Sequence, residues 1–268
     1  MRLKGKIAVV IGAGQSPGAT MGNGRATVLR FVQEGATVLA VDRDLASAED
    51  TCRMARETPD AVCEPFQADV CRESELAAAI QAAHRRWGRI DILHYNVGIS
   101  VAGGDASPTE ITEEAFDRIC AINLRGCVMA GKHVLPIMRE QGGGVILNIS
   151  SVSAWQRYPW VAYKASKAAM IAYTQQLAIE NAEYGIRANA ILPGLMDTPM
   201  AVDTRANAFG RTRADVVAER NARVPLRARM GTAWDVANAA VFLASDEAGF
   251  ITGVELPVDG GALVNIVR

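Results

Sequence analysis

Short apolar runs alternate along this chain with longer stretches of helical spacing. Residues 7–11 and 37–41 are near-continuous β-branched and aliphatic runs, the pattern of strands buried on both faces. Between them, residues 25–34 carry Ala26, Leu29 and Val32 at the intervals that mark one face of a helix. Ser47-Ala48-Glu49-Asp50 reads as a capping box opening a helix to about Glu57, and a third strand ends at Gln67-Ala68-Asp69-Val70. A helix beginning near Glu73 stops at Gly88, and residues 90–95 predict a fourth strand. Thr112-Glu113-Glu114 opens a long helix toward Met138, and residues 145–149 give a fifth strand. A central helix over residues 162–183, a sixth strand over 186–191, a helix over 232–245 and a last strand and turn over 256–261 complete the series. Parallel neighbours need crossover connections, so this order predicts an α/β chain. The expected form is a single Rossmann-type doubly wound domain, its seven-stranded, mainly parallel sheet covered by helices on both faces.

At 268 residues and 50% hydrophobic composition the chain can bury a large core, and nothing in it reads as a linker. A formal net charge of −1 supplies no broad basic surface, which argues against a nucleic-acid partner. The apolar run after Lys6 is too short for a signal peptide or a membrane span, so no membrane partner is expected. Cys52, Cys63, Cys71, Cys120 and Cys127 form no CxxC pair and no even framework, which points to a reduced cytoplasmic setting. His84, His94 and His133 lack a carboxylate or cysteine at ligand spacing, and no catalytic metal is expected.

The first strand enters a glycine-rich turn spanning Gly12, Gly14, Gly18, Gly22 and Gly24, and a helix follows. That order brings backbone N–H groups and a helix N-terminus onto a pyrophosphate, although an ordinary flexible loop is the plainer alternative. Asp42, at the tip of the second strand, can accept both hydroxyls of an adenosine ribose and would repel a 2′-phosphate. NAD is therefore favoured over NADP, with the neighbouring Arg43 as the residue that argues the other way. Asp69 at the third strand tip either reaches an adenine amino group or caps the next helix.

Tyr163 and Lys167 stand one turn apart on the same face of the central helix. A tyrosine with a pKa of about 10 is a poor base at neutral pH, and a nearby cation favours its phenolate. Such a tyrosine can pass a proton to or from an alcohol oxygen, while a serine from Ser150-Ser151-Val152-Ser153 holds the same oxygen. Chance spacing on a helix is the bland alternative. Residues 201–230 hold seven arginines against three acids, read either as a lid that meets an anionic substrate or as a solvated surface helix. Trp155, Tyr158 and Trp160, with Leu195 and Met196, either line an apolar pocket or simply pack.

With these residues assembled, the chain resembles the short-chain dehydrogenase/reductase family over essentially its whole length. The resemblance rests on Tyr163-Lys164-Ala165-Ser166-Lys167, Asn148-Ile149-Ser150-Ser151 upstream of it, Asn123, and Asn96-Val97-Gly98. Asp42, Asp69-Val70, Pro193-Gly194 with Thr198, and Val258-Asp259-Gly260-Gly261 follow in the family's order. It implies a nicotinamide-dependent oxidoreductase that interconverts a secondary alcohol and a ketone. Tyr163 would be the general acid/base, Ser151 would orient the substrate oxygen, and Lys167 would lower the tyrosine pKa and hold the nicotinamide ribose. Asn123 would position a relay water. Cofactor contacts would come from Gly12, Gly22, Gly24, Asp42, Asp69, Val70, Asn96, Gly98, Tyr163, Lys167, Pro193, Gly194 and Thr198. The resemblance also implies a homotetramer, and a substrate lid over about residues 194–230. Two alternatives stay open: a 3-oxoacyl thioester reductase using NADPH, and a non-catalytic NAD-binding regulator.

The sequence departs from the family pattern in three places. Ile11 replaces a threonine, and an insertion separates Gly12 from Gly22 and Gly24, so the loop over residues 15–21 must bulge. Val97 stands where alanine is usual, after His94-Tyr95, which either crowds the cofactor or repacks the strand end. The interval from Ser151 to Tyr163 is one residue short, while Ser150 restores it; Ser151 is preferred because the strand-end phrase normally presents its second serine.

Overall fold

The computed structural model describes residues 1–265. Seven strands, β1 (Ile7–Ile11), β2 (Thr37–Asp42), β3 (Cys63–Gln67), β4 (Ile92–Tyr95), β5 (Gly144–Ile149), β6 (Ile186–Pro193) and β7 (Glu255–Val258), form one sheet. Their order is β3-β2-β1-β4-β5-β6-β7 and every pairing is parallel. The helices are α1 (Asn23–Gln33), α2 (Leu45–Ala55), α3 (Glu73–Trp87), α4 (Glu113–Cys120), α5 (Gly126–Glu140), α6 (Val161–Glu180), α7 (Asp203–Ala208), α8 (Arg213–Ala222) and α9 (Ala233–Ala244).

Alternate strand residues point to opposite faces, and both faces are covered. Ala8, Val10, Val38, Ala40 and Leu147 pack beneath Phe31 of α1, Cys52 of α2 and Val241 of α9. Val9, Ile11, Leu39, Leu93 and Ile146 pack beneath Ile80 of α3, Val134 of α5 and Met170 of α6. The sheet therefore reverses its strand order between β1 and β4, and the carboxyl ends of those strands open onto the crevice where such sheets bind ligands.

Several element ends differ from the sequence expectation for local reasons. Helix α2 begins at Leu45 because Asp44, rather than Ser47, is its cap: the Asp44 carboxylate accepts the Ser47 N–H at 3.2 Å. The Ser47 hydroxyl is instead drawn to the glycine-rich turn, where it accepts the Gln15 N–H at 2.9 Å. Asp69 does not cap α3 either. Its carboxylate accepts the N–H of Cys71, two residues on, in a local turn. The long helix from Thr112 is α4 and α5 joined by a π-helical turn, Ala121–Arg125, that contains Asn123. Helix α6 ends at Glu180, where the Asn181 amide turns back onto the Leu177 carbonyl.

The residues before the Asn96 corner repack the interior. Tyr95 is fully buried and donates its hydroxyl to the Ile122 carbonyl at 2.6 Å. His94 is fully buried edge-on to Phe31, and neither ring nitrogen has a hydrogen-bond partner among the described residues. Cys52 and Cys63, eleven residues apart in the chain, bring their sulfurs within 2.9 Å across α2 and β3, a pairing their spacing gives no hint of. Among the described residues, no helix is long and apolar enough to cross a membrane.

Candidate active site

One cavity of about 680 Å³ runs along the carboxyl ends of the strands. Gly12, Gly22, Gly24, Asp42, Asp69, Val70, Asn96, Gly98, Ser151, Tyr163, Lys167, Pro193, Gly194 and Thr198 all line it. Of the expected catalytic and cofactor-binding residues, Asn123 alone stands behind the wall. It is fully buried, with its Oδ1 accepting the Ile99 N–H and its Nδ2 donating to the Ile99 carbonyl and the Ser166 hydroxyl.

At the β1–β2 end the backbone is stripped of side chains where a ligand would lie against it. Gly12 has φ +84°, a left-handed conformation that favours glycine. A Cβ on Gly24 would fall 1.8 Å from the Gly12 carbonyl oxygen, so no other residue fits there. The first bond of the α1 ladder runs from Ala26 to the Gly22 carbonyl, which leaves the N–H groups of residues 23–25 ahead of it at the positive end of the helix. The inserted loop is tied back by Gln15, whose side-chain carbonyl accepts the Gly22 N–H at 2.9 Å. Asp42 is held in place by the N–H groups of Gly14 and Asp44, at 2.8 and 3.1 Å, with Arg43 beside it on the cavity wall. A carboxylate with fixed oxygens, a glycine surface and a helix N-terminus fit a dinucleotide.

At the β5–α6 end, Tyr163, Ser151 and Lys167 converge. Ser150 and Ser151 part company here. The Ser150 hydroxyl turns inward to donate to the Lys167 carbonyl at 2.8 Å, whereas Ser151 lies on the cavity wall with Tyr163, its hydroxyl oxygen accepting the Ser153 N–H at 3.1 Å. Helix α6 has no local side-chain cap, and Asp105 supplies one from a distant loop, accepting the N–H groups of Ala162 and Tyr163 at 2.9 and 3.0 Å. No periodic or capping signal marks this residue in the sequence, since a cap fifty-eight positions away is a product of tertiary structure.

Electrostatics differ from the simple expectation of a lysine that acidifies its tyrosine. Burial is the dominant influence on Tyr163 and pushes its phenol up to about 12; Ser151, Arg205 and Arg220 pull the other way and lose. Burial likewise pushes Lys167 down to about 8. Its ammonium donates to the Val97 and Ile149 carbonyls at 3.2 and 2.7 Å, and lies 5.8 Å from the Tyr163 ring centroid. Burial thus holds the proton on the phenol and loosens the one on the lysine.

The far wall comes from residues 195–230. Tyr158, Trp160, Leu195 and Met196 line the cavity as expected of an apolar pocket, and Phe209 stacks on Trp160 at 6.0 Å. Trp155 does not join them. It is 56% exposed because its indole N–H reaches outward to the Glu255 carboxylate at 2.7 Å. Helices α7 and α8 carry a small core of their own from Val202, Ala206, Val216, Val224 and Met230.

The family model described as enoyl-(acyl carrier protein) reductase matches residues 18–262. The chain is 37% identical over 248 residues to 2-(R)-hydroxypropyl-CoM dehydrogenase of Xanthobacter autotrophicus, covering 91% of this chain and 95% of that one. It is 35% identical over 265 residues to 3-oxoacyl-(acyl-carrier-protein) reductase of Thermotoga maritima, covering 98% of this chain and 100% of that one. The crystal structure of levodione reductase superposes with a TM-score of 0.92 at 33% identity, over 99% of this chain and 100% of that one.

Proposed function

Since the chain belongs to the short-chain dehydrogenase/reductase family, an oxidoreductase that interconverts a secondary alcohol and a ketone, we propose that Tyr163 is its general acid/base and NAD its preferred cofactor. The observation that supports this most is the convergence of Tyr163, Ser151 and Lys167 at one end of a cavity whose other end presents Asp42. The dinucleotide would lie along Gly12, Gly22, Gly24, Asp42, Asp69, Val70, Asn96, Gly98, Pro193, Gly194 and Thr198, and when bound it supplies or accepts the hydride.

In ketone reduction the Tyr163 hydroxyl donates its proton to the substrate oxygen, and its raised pKa keeps that proton available at neutral pH. Ser151 donates a hydrogen bond to the same oxygen as negative charge grows on it. In alcohol oxidation Tyr163 takes the proton back. Lys167, held by two carbonyls, has only a weak contact to the Met170 sulfur at 4.0 Å for its third N–H, which a ribose hydroxyl would outcompete, and sits where Asn123 and Gly98 shape its surroundings. A water relay through Asn123 would run from this lysine toward the exterior.

NAD preference is supported by the Asp42 carboxylate, which repels a 2′-phosphate. A second reading, an NADPH-dependent 3-oxoacyl thioester reductase, is supported by full-length similarity to the Thermotoga maritima protein and by Arg43 on the cavity wall. Rates with NADH and NADPH on a ketone panel separate the two: a preference for NADPH with an acyl thioester substrate would overturn the first. NAD binding without turnover of any alcohol or ketone would replace both with a regulator.

The family's tetramer is part of the proposal. Phe116, Ile179 and Phe250 are exposed apolar side chains, at 38%, 73% and 105%, that self-association would cover. A monomer in sedimentation would reject it.

A further inference from the structure

The lid segment carries more positive charge than its own acids neutralise, and part of the surplus faces the cavity. Asp203 pairs with Arg213, which also bonds Asp197; Glu219 pairs with Arg211; Asp215 accepts the Thr212 hydroxyl. Every acid between residues 201 and 230 is thereby engaged. Among the described residues, Arg205, Arg220 and Arg223 have no carboxylate partner, and all three line the cavity.

Arg220 is the most telling of the three. It is only 8% exposed, and its side-chain hydrogen bonding among the described residues is a single weak contact from Nε to the Met230 sulfur at 3.3 Å. A buried guanidinium without an anion is costly, and burial together with the neighbouring Arg205 and Arg223 charges pushes its pKa down to about 10. Arg205 is oriented toward the same space: it donates to the Ala201 carbonyl at 3.1 Å and to the Tyr158 hydroxyl at 3.1 Å, and its guanidinium lies 5.5 Å from the Trp160 ring. Tyr158 in turn sits with its ring 5.5 Å from that of Tyr163. The charged site and the acid/base hydroxyl are therefore separated by one aromatic ring.

Resting on the alcohol-oxidising reading of this site, we infer that the substrate is a secondary alcohol or ketone that carries an anionic group, held by Arg205 and Arg220 while its carbinol or carbonyl meets Tyr163. A planar guanidinium fork matches a carboxylate, sulfonate or phosphate equally well. Trp160 and Phe209 would cover the apolar spacer between the two ends of the molecule.

The test compares methyl carbinols that end in carboxylate, sulfonate or phosphate with their uncharged amide and methyl counterparts, over spacers of increasing length, by initial rates of NADH formation. The expected result is a preference for the charged members that falls on the order of a hundredfold in Arg220→Gln and in Arg205→Gln. Arg220→Lys should keep a larger share of it, and comparison of the three anions identifies the headgroup. Arg205→Gln, at a less buried position, serves if Arg220→Gln fails to fold. Equal use of charged and uncharged substrates by the natural enzyme would overturn the inference and leave the dehydrogenase intact. If no alcohol is turned over, calorimetric titration with butanesulfonate decides instead: saturable binding abolished in Arg220→Gln supports the site, and absence of binding to the natural protein sinks it.

Discussion

Asp105 fixes the position of Tyr163 by accepting its backbone N–H at 3.0 Å, while the other carboxylate oxygen accepts that of Ala162. The first turn of α6 is therefore set by a loop that follows β4, and the same carboxylate accepts the Ser100 hydroxyl at 3.0 Å. Substituting Asp105 by Ala removes a helix cap worth about 1 kcal/mol and frees the phenol to drift. The expected outcome is a drop of roughly tenfold to a hundredfold in kcat with cofactor affinity retained. Steady-state kinetics alongside NADH fluorescence titration checks it, and an unchanged kcat would deny Asp105 this positioning role.

Tyr163→Phe keeps the ring and removes the proton carrier. Turnover should fall by about 10²–10⁴ while NADH still binds. In the natural enzyme the raised phenol pKa fixes the direction of the pH effect: the protonated form persists toward pH 12. Ketone reduction should stay level across neutral pH, and alcohol oxidation should climb as the medium becomes more alkaline. Oxidation rates that decline between neutral and moderately alkaline pH would contradict this ordering.

The two serines should separate cleanly. Ser151→Ala removes a donor at the cavity wall and should cost about 10²–10³ in kcat. Ser150→Ala removes the bond to the Lys167 carbonyl and should lower stability by about 1 kcal/mol with a much smaller kinetic effect. Parallel melting curves and initial rates distinguish the pair; a larger kinetic loss in Ser150→Ala would exchange their roles.

Asp42→Ala should move the NAD to NADP preference toward NADP on the order of a hundredfold, since it removes the repulsion of a 2′-phosphate and leaves Arg43 in place. The ratio of kcat/KM for the two cofactors measures it. Asp42→Asn removes the charge while keeping an acceptor for one of the two N–H groups, of Gly14 or of Asp44, and so disturbs the loop less than Asp42→Ala.

His94 makes the fold acid-sensitive. Burial lowers its pKa from 6.5 to about 3, so the neutral ring is favoured in the folded chain. Its contribution is fully present above pH 6.5 and drains away as pH falls from there toward 3, of order 5 kcal/mol in total. His94→Leu also removes two nitrogens that lack partners, and should melt higher than the natural protein by a margin that widens on acidification. Thermal melts across that interval test it, and a constant gap would mean that the ring does not titrate with unfolding.

Much of this was legible because the signals are local. The strands read as unbroken apolar runs because the sheet is covered twice, and the glycine turn, Asp42 and the Tyr163–Lys167 pair each lie within a few residues of a strand end or helix start. What escaped is what distance in the chain conceals. The Asp105 cap, the Cys52–Cys63 approach and the outward turn of Trp155 toward Glu255 depend on partners brought in by the fold. The misplaced start of α2 has the same origin, because Ser47 was claimed by Gln15 before it could cap. The direction of the tyrosine pKa shift is hidden from the sequence for a related reason: spacing reveals a cation nearby, whereas desolvation depends on how deeply both groups are enclosed.

The cluster of Val202, Ala206, Val216, Val224 and Met230 gives the cavity roof a kernel distinct from the two that clamp the sheet. Residues facing the substrate can thus be exchanged during evolution while the dinucleotide platform keeps its integrity. Divergence in what the enzyme accepts is thereby uncoupled from divergence in whether it folds.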